Sequence, residues 1–118
     1  NGKTTTKDMT AAVVSQTFKT YKTQGNYNNE IGLPYTILSM DEETEVAVLE
    51  MGMDRKGDIE LLSKIGQPDI AAITIIGESH IEYLGSRKGI AEAKMEIVSG
   101  LKKEGSLIVP NNEPLLTP

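Results

Sequence analysis

The apolar residues of this chain fall into short runs and into longer segments with helical spacing. The runs lie at residues 46–49, 70–76 and 106–109, and each is bounded by polar residues, glycine or proline. Runs of this length are typical of strands that are buried on both faces of a parallel sheet. A further short strand is predicted at residues 19–24, directly before Gly25.

Four other segments predict helices, at residues 3–18, 31–40, 57–65 and 86–101. Pro34 falls in the first turn of the second helix, where its missing N–H costs little. The apolar faces of the other three helices consist of Met9, Val13 and Phe18; of Ile59, Leu62 and Ile65; and of Ile90, Ala93, Ile97 and Leu101. Helices that alternate with apolar strands predict an α/β fold, in which right-handed crossovers connect a parallel sheet flanked by helices.

Three polar features are predicted to meet at one edge of this sheet. Glu50 directly follows one strand, the turn at residues 77–80 (Gly-Glu-Ser-His) follows another, and the first helix begins with Lys3 and Thr4. Ligands of open parallel sheets bind beyond the carboxyl ends of the strands. We therefore expect the functional site at this edge.

The first six residues, Asn-Gly-Lys-Thr-Thr-Thr, have the composition of the second half of a phosphate-binding loop. In such a loop Gly2 would let the backbone approach a phosphate, Lys3 would neutralise it, and the Thr4 hydroxyl would ligate Mg²⁺. The complete motif has another glycine five positions earlier, before the first residue of this sequence. Lysine and threonine are also common at exposed helix starts, so these residues alone leave both interpretations open.

Glu50 and His80 each have a structural and a functional interpretation. Glu50 either meets water at the end of its strand or holds Mg²⁺ opposite the Thr4 hydroxyl. His80, the single histidine, is either a helix cap or surface group, or a ligand or phosphate contact.

Lys94 lies four residues after Ile90 and three before Ile97, which places it on or beside the buried face of its helix. In one interpretation its stem lies along apolar surface while the ammonium reaches water. In the other, Lys94 is held inside a site where its pKa falls enough for chemistry or modification.

Asn28 and Asn29 belong to a cluster of turn-forming residues, Gly-Asn-Tyr-Asn-Asn, at positions 25–29. An amide-rich loop of this kind equally suits a polar, peptide-bearing substrate. Spacing does not separate the two interpretations.

Composition narrows the class of protein. The 118 residues predict at most one domain, and the net charge of −5 with one phenylalanine and no tryptophan argues against nucleic-acid or anionic-membrane binding. No apolar run approaches the length of a membrane span. The absence of cysteine excludes disulfides and thiolate metal sites and fits a cytoplasmic protein.

Five segments taken together closely resemble the central ATP-binding domain of the Mur ligases. They are Asn-Gly-Lys-Thr-Thr-Thr (1–6), Gly-Asn-Tyr-Asn-Asn-Glu-Ile-Gly-Leu-Pro (25–34), Leu-Glu-Met-Gly (49–52), Gly-Glu-Ser-His (77–80) and Ala-Lys (93–94). Their order and spacing match over essentially the whole chain. The resemblance implies a P-loop-like α/β domain, and it identifies residues 1–118 as part of such a domain, truncated at both ends, without the family's N-terminal and C-terminal domains.

The resemblance also implies an ATP-dependent amide-bond ligase of peptidoglycan synthesis. The pattern is most similar to the family members that add D-alanyl-D-alanine to UDP-N-acetylmuramoyl-tripeptide. ATP would phosphorylate the terminal carboxylate of the tripeptide, and the amine of D-alanyl-D-alanine would attack the acyl phosphate.

Residue roles follow from the same resemblance. Lys3 would contact the transferred phosphate, and Thr4 with Glu50 would hold a first Mg²⁺. His80 and Lys94 would serve a second Mg²⁺, with Lys94 carrying a carbamate formed from CO₂. The nucleotide-binding residues would be Asn1, Gly2, Lys3, Thr4 and Thr5, and the acceptor side would be formed by Asn28 and Asn29.

One position departs from the family pattern, since Ile75 stands where many relatives have an asparagine at the nucleotide site. We expect the chain by itself to lack ligase activity and to self-associate through an unpaired sheet edge. Three alternatives stay open: a Mur ligase that adds another amino acid or a folylpolyglutamate-type synthetase, a non-catalytic α/β binding fragment, and a simple P-loop NTPase.

Overall fold

Helices and strands alternate along the chain in the computed structural model, which describes residues 3–53, 56–74 and 87–110. The helices are α1 (Lys3–Val14), α2 (Gly32–Ser39), α3 (Asp58–Gly66) and α4 (Arg87–Met95), which continues as a 3₁₀ helix (Glu96–Gly100). The strands are β1 (Thr20–Lys22), β2 (Val46–Val48), β3 (Ile70–Ala72) and β4 (Ser106–Ile108). Each predicted element therefore has a counterpart, and most are shorter than predicted. Among the helices described, none is long and apolar enough to cross a membrane.

The strands form two parallel pairs. Thr20 of β1 lies opposite Val46 of β2, and Ile70 of β3 lies opposite Ser106 of β4. The parallel pairing predicted from the apolar runs is confirmed. Within the described residues, however, the pairs are separate two-stranded sheets and not one continuous sheet.

The prediction that the strands are buried on both faces is wrong for this chain. Ala71 is 2% exposed, whereas its neighbour Ile70 is 65% exposed, and Ala47 in β2 is also exposed. Successive side chains of a strand point to opposite faces. One face of the β3–β4 pair is thus packed, and the other is accessible.

The hydrophobic core lies between α2, α3 and α4. It consists of Leu33, Met53, Ile59, Leu62, Ile73, Ile90, Ala91 and Ala93. The predicted faces of α3 and α4 are confirmed at Ile59, Leu62, Ile90 and Ala93, while Ile65 is 37% exposed at the margin. The position of Pro34 in the first turn of α2 is confirmed as well.

Helix α1 differs from its prediction in length and in orientation. It ends at Val14, and its apolar stripe of Met9, Val13 and Phe18 is 65%, 70% and 47% exposed. The buried face instead carries Lys7 and Ala11, one turn apart. This face packs because α1 lies against β1 and β2, where the Lys7 ammonium reaches a backbone carbonyl.

Two side chains from different elements fasten the 3₁₀ helix to α3. The Glu96 carboxylate accepts hydrogen bonds from Gly57 N at 3.0 Å and Glu60 N at 3.2 Å, and so caps the start of α3. The buried Ser63 hydroxyl donates to Ile97 O and accepts from Gly100 N at 2.9 Å. These bonds set the position of α4, which carries Lys94.

Candidate functional site

The site lies where β1 and β2 end, beside the start of α1. Thr23 follows β1 and donates its backbone N–H to Val48 O at 3.0 Å, which extends the parallel pair. Its fully buried hydroxyl accepts a hydrogen bond from Glu50 N at 2.8 Å. The backbone of Glu50 is therefore held at the carboxyl end of β2.

The Glu50 side chain contacts both the first turn of α1 and the asparagine-rich loop. Its carboxylate accepts a hydrogen bond from Thr4 Oγ1 at 3.2 Å to Oε1, and one from Asn28 Nδ2 at 3.1 Å to Oε2. Glu50 is 7% exposed. The structure thus places the Thr4 hydroxyl and the Glu50 carboxylate together, as the positions of the predicted strand and helix suggested.

The donor set of Thr4 and Glu50 fits Mg²⁺. Both supply oxygen atoms, and neighbouring ligands of an octahedral Mg²⁺ lie about 3 Å apart, close to the 3.2 Å observed. Groups of three or more histidine, aspartate or glutamate residues that could hold a metal are absent from the part of the chain described. Two protein ligands suit a Mg²⁺ ion that keeps water and phosphate oxygens in its other positions.

Lys94 lies half-buried on the last turn of α4. Burial lowers the pKa of its ammonium below the ordinary value of 10.5, and the positive charge of Lys3 lowers it further. A lysine with a lowered pKa has more neutral amine at a given pH, which is the form that reacts.

The lowered pKa predicts how Lys94 affects stability. Between the folded pKa and 10.5 the folded protein binds fewer protons than the unfolded chain, so the contribution of Lys94 to stability rises with pH in this window. Lys94→Met removes the penalty for the charged form. We expect the stability of the variant relative to the wild type to fall as the pH rises towards about pH 10.

Urea unfolding at several pH values measures this difference. Lys103→Met, which changes an exposed lysine, is the matched control and should show no such trend. An advantage of Lys94→Met that grows with pH would contradict the prediction.

Asn28 and Asn29 have different contacts although they are adjacent. Asn28 bonds Glu50, whereas Asn29 Oδ1 accepts hydrogen bonds from Ile31 N at 3.1 Å and Gly32 N at 2.7 Å. Asn29 therefore caps the start of α2. An asparagine just before a helix that begins with Gly-Leu-Pro was the available signal for this contact.

Asn29→Ala should destabilise the fold by about 1 kcal/mol, because two backbone N–H groups at the start of α2 lose their acceptor. Chemical denaturation measures the loss, and Asn26→Ala in the same loop, at an exposed position, is the control. An unchanged stability would show that water replaces the cap without cost.

Sequence reasoning did not find Lys7 and Thr23. The Lys7 ammonium donates a hydrogen bond to Thr23 O at 2.9 Å and lies 3.9 Å from Glu50 Oε1. A lysine on a helix and a threonine after a strand carry no local signal for such a contact.

Other predicted site residues lie outside the described residues: Asn1, Gly2, His80 and the position of Ile75. Of the remaining predicted residues, Lys3 is partly buried and Thr5 is exposed in the first turn of α1.

Comparison with known proteins gives matches over nearly the whole chain. Residues 1–117 match the family model described as Mur ligase middle domain. The UDP-N-acetylmuramoyl-tripeptide–D-alanyl-D-alanine ligase of Bacillus subtilis is 62% identical over 116 residues, which are 98% of this chain and 25% of that protein. The enzyme of the same name from Escherichia coli is 41% identical over 109 residues, or 92% of this chain and 24% of that protein.

Solved structures have the same fold. MurF from Acinetobacter baumannii superposes with a TM-score of 0.94 at 40% identity, over 98% of this chain and 26% of that structure. MurF ligase from Thermotoga maritima, solved in complex with ADP, gives a TM-score of 0.89 at 39% identity, over 97% of this chain and 27% of that structure. The α/β prediction is thereby confirmed. The chain spans about a quarter of the length of the relatives it matches, 25% in the case of the Bacillus subtilis enzyme.

Proposed function

This chain belongs to the Mur ligase middle-domain family, and on that premise we propose that it is the nucleotide- and magnesium-binding part of a ligase that joins D-alanyl-D-alanine to UDP-N-acetylmuramoyl-tripeptide. The observation that carries the proposal is the contact between Thr4 and Glu50 at 3.2 Å. It brings the end of a phosphate-binding sequence against a carboxylate at the carboxyl end of a parallel strand. The activity named for the relatives supports the choice of substrates.

The reaction would proceed in two steps. A carboxylate oxygen of the tripeptide attacks the γ-phosphorus of ATP, and ADP leaves. The neutral amine of D-alanyl-D-alanine then attacks the carbonyl carbon of the acyl phosphate, inorganic phosphate leaves, and the nitrogen loses a proton to give the amide. Both steps build negative charge on phosphate oxygens, which fixed positive charges stabilise.

Different residues of this chain would bind the phosphates, the nucleotide and the metal ion. Lys3 would contact the transferred phosphate, while the backbone at the start of α1 would hold the others. Asn1, Gly2 and Thr5 would complete this nucleotide site. Mg²⁺ bound by Thr4 and Glu50 would supply positive charge at the phosphate oxygens. Asn28 would keep the Glu50 carboxylate oriented through the 3.1 Å bond to Oε2.

Lys94 would serve a second Mg²⁺ together with His80. Its lowered pKa favours the neutral amine that combines with CO₂ to form a carbamate, an oxygen ligand suited to Mg²⁺. Asn28 and Asn29 would lie near the acceptor substrate, with Asn29 shaping the loop through its cap on α2. We place the enzyme in the cytoplasm, where ATP is available.

The test is phosphate release by the protein that contains this chain, with ATP, Mg²⁺, the UDP-linked tripeptide and D-alanyl-D-alanine. Release should require both the tripeptide and the dipeptide, and the product should be the UDP-linked pentapeptide by mass spectrometry. A preference for a single amino acid over the dipeptide would assign the chain to another member of the family. Phosphate release without either acceptor would indicate a simple NTPase.

A further inference from the structure

Lys7 is a buried cation that the proposed reaction does not use. It lies one turn after Thr4 on α1 and is 7% exposed. A buried ammonium is costly unless it has hydrogen-bond acceptors and an opposite charge. The role of Lys7 therefore depends on the hydrogen-bond acceptors and carboxylates around its ammonium.

Hydrogen bonding fixes the Lys7 ammonium in one place. Nζ donates to Thr23 O at 2.9 Å, and Thr23 in turn accepts the hydrogen bond from Glu50 N at 2.8 Å. Thr23 is fully buried. Moving Nζ away would leave a buried carbonyl without this donor, so the ammonium is anchored to the residue that holds Glu50.

Two carboxylates lie near this ammonium, at 3.5 Å for Asp8 Oδ1 and 3.9 Å for Glu50 Oε1. Asp8 is half-exposed and bonds Lys22 Nζ at 3.0 Å, which makes that pair a solvated surface contact. Glu50 is buried beside Lys7, where solvent screens the charges less. Glu50 is therefore the buried carboxylate whose charge Lys7 can balance.

The other donors that the described chain offers to the Glu50 carboxylate are the Thr4 hydroxyl and the Asn28 amide, which are neutral. Neutral hydrogen bonds orient a buried carboxylate but do not balance its charge. The positive charge of the Lys7 ammonium, with Nζ 3.9 Å from Glu50 Oε1, can balance it.

We propose that Lys7 is a positioning residue that balances the charge of Glu50 when no metal is bound, and that a divalent cation at Thr4 and Glu50 must bind against this fixed positive charge. The proposal rests on the proposed function, because it concerns the same metal site. Like charges in a buried site repel strongly. The affinity of the site for the cation would thus be low without a nucleotide. It would be higher with a bound nucleotide, whose phosphates offset the charge of Lys7.

A double-mutant cycle on the metal-free protein tests the charge balance. Lys7→Met keeps most of the length of the side chain without its charge and should shift the folding equilibrium towards unfolding by about 100-fold or more, since Glu50 is left buried without a counter-charge. In the Glu50→Gln background the same change should cost at least about tenfold less, because only the hydrogen bond to Thr23 O is then lost. Equal costs in the two backgrounds would overturn the charge balance. If Lys7→Met does not fold, recovery of folding in the double variant gives the same answer.

A Mn²⁺ titration tests the competition. Free Mn²⁺ is followed by electron paramagnetic resonance, without nucleotide, for the wild type, for Lys7→Met and for the control Lys22→Met, which removes a half-exposed lysine of β1. Lys7→Met should bind about tenfold more tightly, because the repulsion is gone. Lys22→Met should bind as the wild type does, and Lys7→Arg should stay near it.

The outcomes separate this inference from a structural role and from the proposed function. A residue that only supports the fold would weaken Mn²⁺ binding when changed, so weaker or equal binding in Lys7→Met overturns the competition. Absence of Mn²⁺ binding in every variant, even with ADP, overturns both the proposed metal site and the competition. The stability cycle then still decides whether Lys7 balances Glu50.

Discussion

Glu50→Gln should lower kcat/KM of the ligase reaction by about 100-fold or more, because the variant removes the charged ligand proposed for Mg²⁺. Glutamine has nearly the same size and can still accept the hydrogen bond from Thr4 Oγ1, now 3.2 Å from Glu50 Oε1. The fold should therefore persist. The loss should also fall as the Mg²⁺ concentration is raised, since the variant binds the metal more weakly.

The measurement is the rate of phosphate release as a function of Mg²⁺ concentration. Glu42→Gln, in the exposed acidic turn before β2, makes the same chemical change away from the site and should leave the rate unchanged. A Glu50→Gln enzyme with wild-type activity and wild-type Mg²⁺ dependence would remove Glu50 from the proposed metal site.

Gly100→Ala should destabilise the fold by about 3 kcal/mol, because there is no room for a methyl group where the 3₁₀ helix meets α3. A Cβ at Gly100 would lie 1.9 Å from Ser63 O and 2.3 Å from Ser63 C. These are backbone atoms inside α3, so neither can rotate away. The 3₁₀ helix would have to move, and the hydrogen bond from Gly100 N to Ser63 Oγ at 2.9 Å would be lost.

The control is Gly25→Ala, since a Cβ there has nothing within 4 Å but the backbone has φ of +52°. Its cost should be limited to about 1 kcal/mol of backbone strain. Urea unfolding of both variants separates the clash from the strain. If Gly100→Ala cost no more than Gly25→Ala, the close packing of the 3₁₀ helix on α3 would be wrong.

The order of helices and strands was accessible from the sequence because periodicity is a local property. Helical spacing located Ile59, Leu62, Ile90 and Ala93 on the packed faces. What spacing did not give is which face of α1 is buried. Burial there depends on the neighbouring strands, and a stripe of Met9, Val13 and Phe18 carries no information about them.

The asparagine loop shows the same limit at the site. The sequence placed Asn28 and Asn29 in one turn and gave both residues the same two interpretations, turn formation and contact with a substrate. The structure separates them, because the turn points one side chain back towards Glu50 and the other towards the start of α2. Adjacent residues in a turn have different orientations, and only the backbone conformation decides which is which.

By itself, the sequence determined that parallel strands alternate with helices and that Glu50 and the first turn of α1 lie at the same edge. This follows because the carboxyl ends of parallel strands lie at a common edge. Only the tertiary structure decided that Lys7 lies 3.9 Å from this carboxylate and that Glu96 caps α3 from 36 residues along the chain. Such contacts depend on how segments that are far apart in the sequence pack against each other. No local pattern of residues specifies this packing.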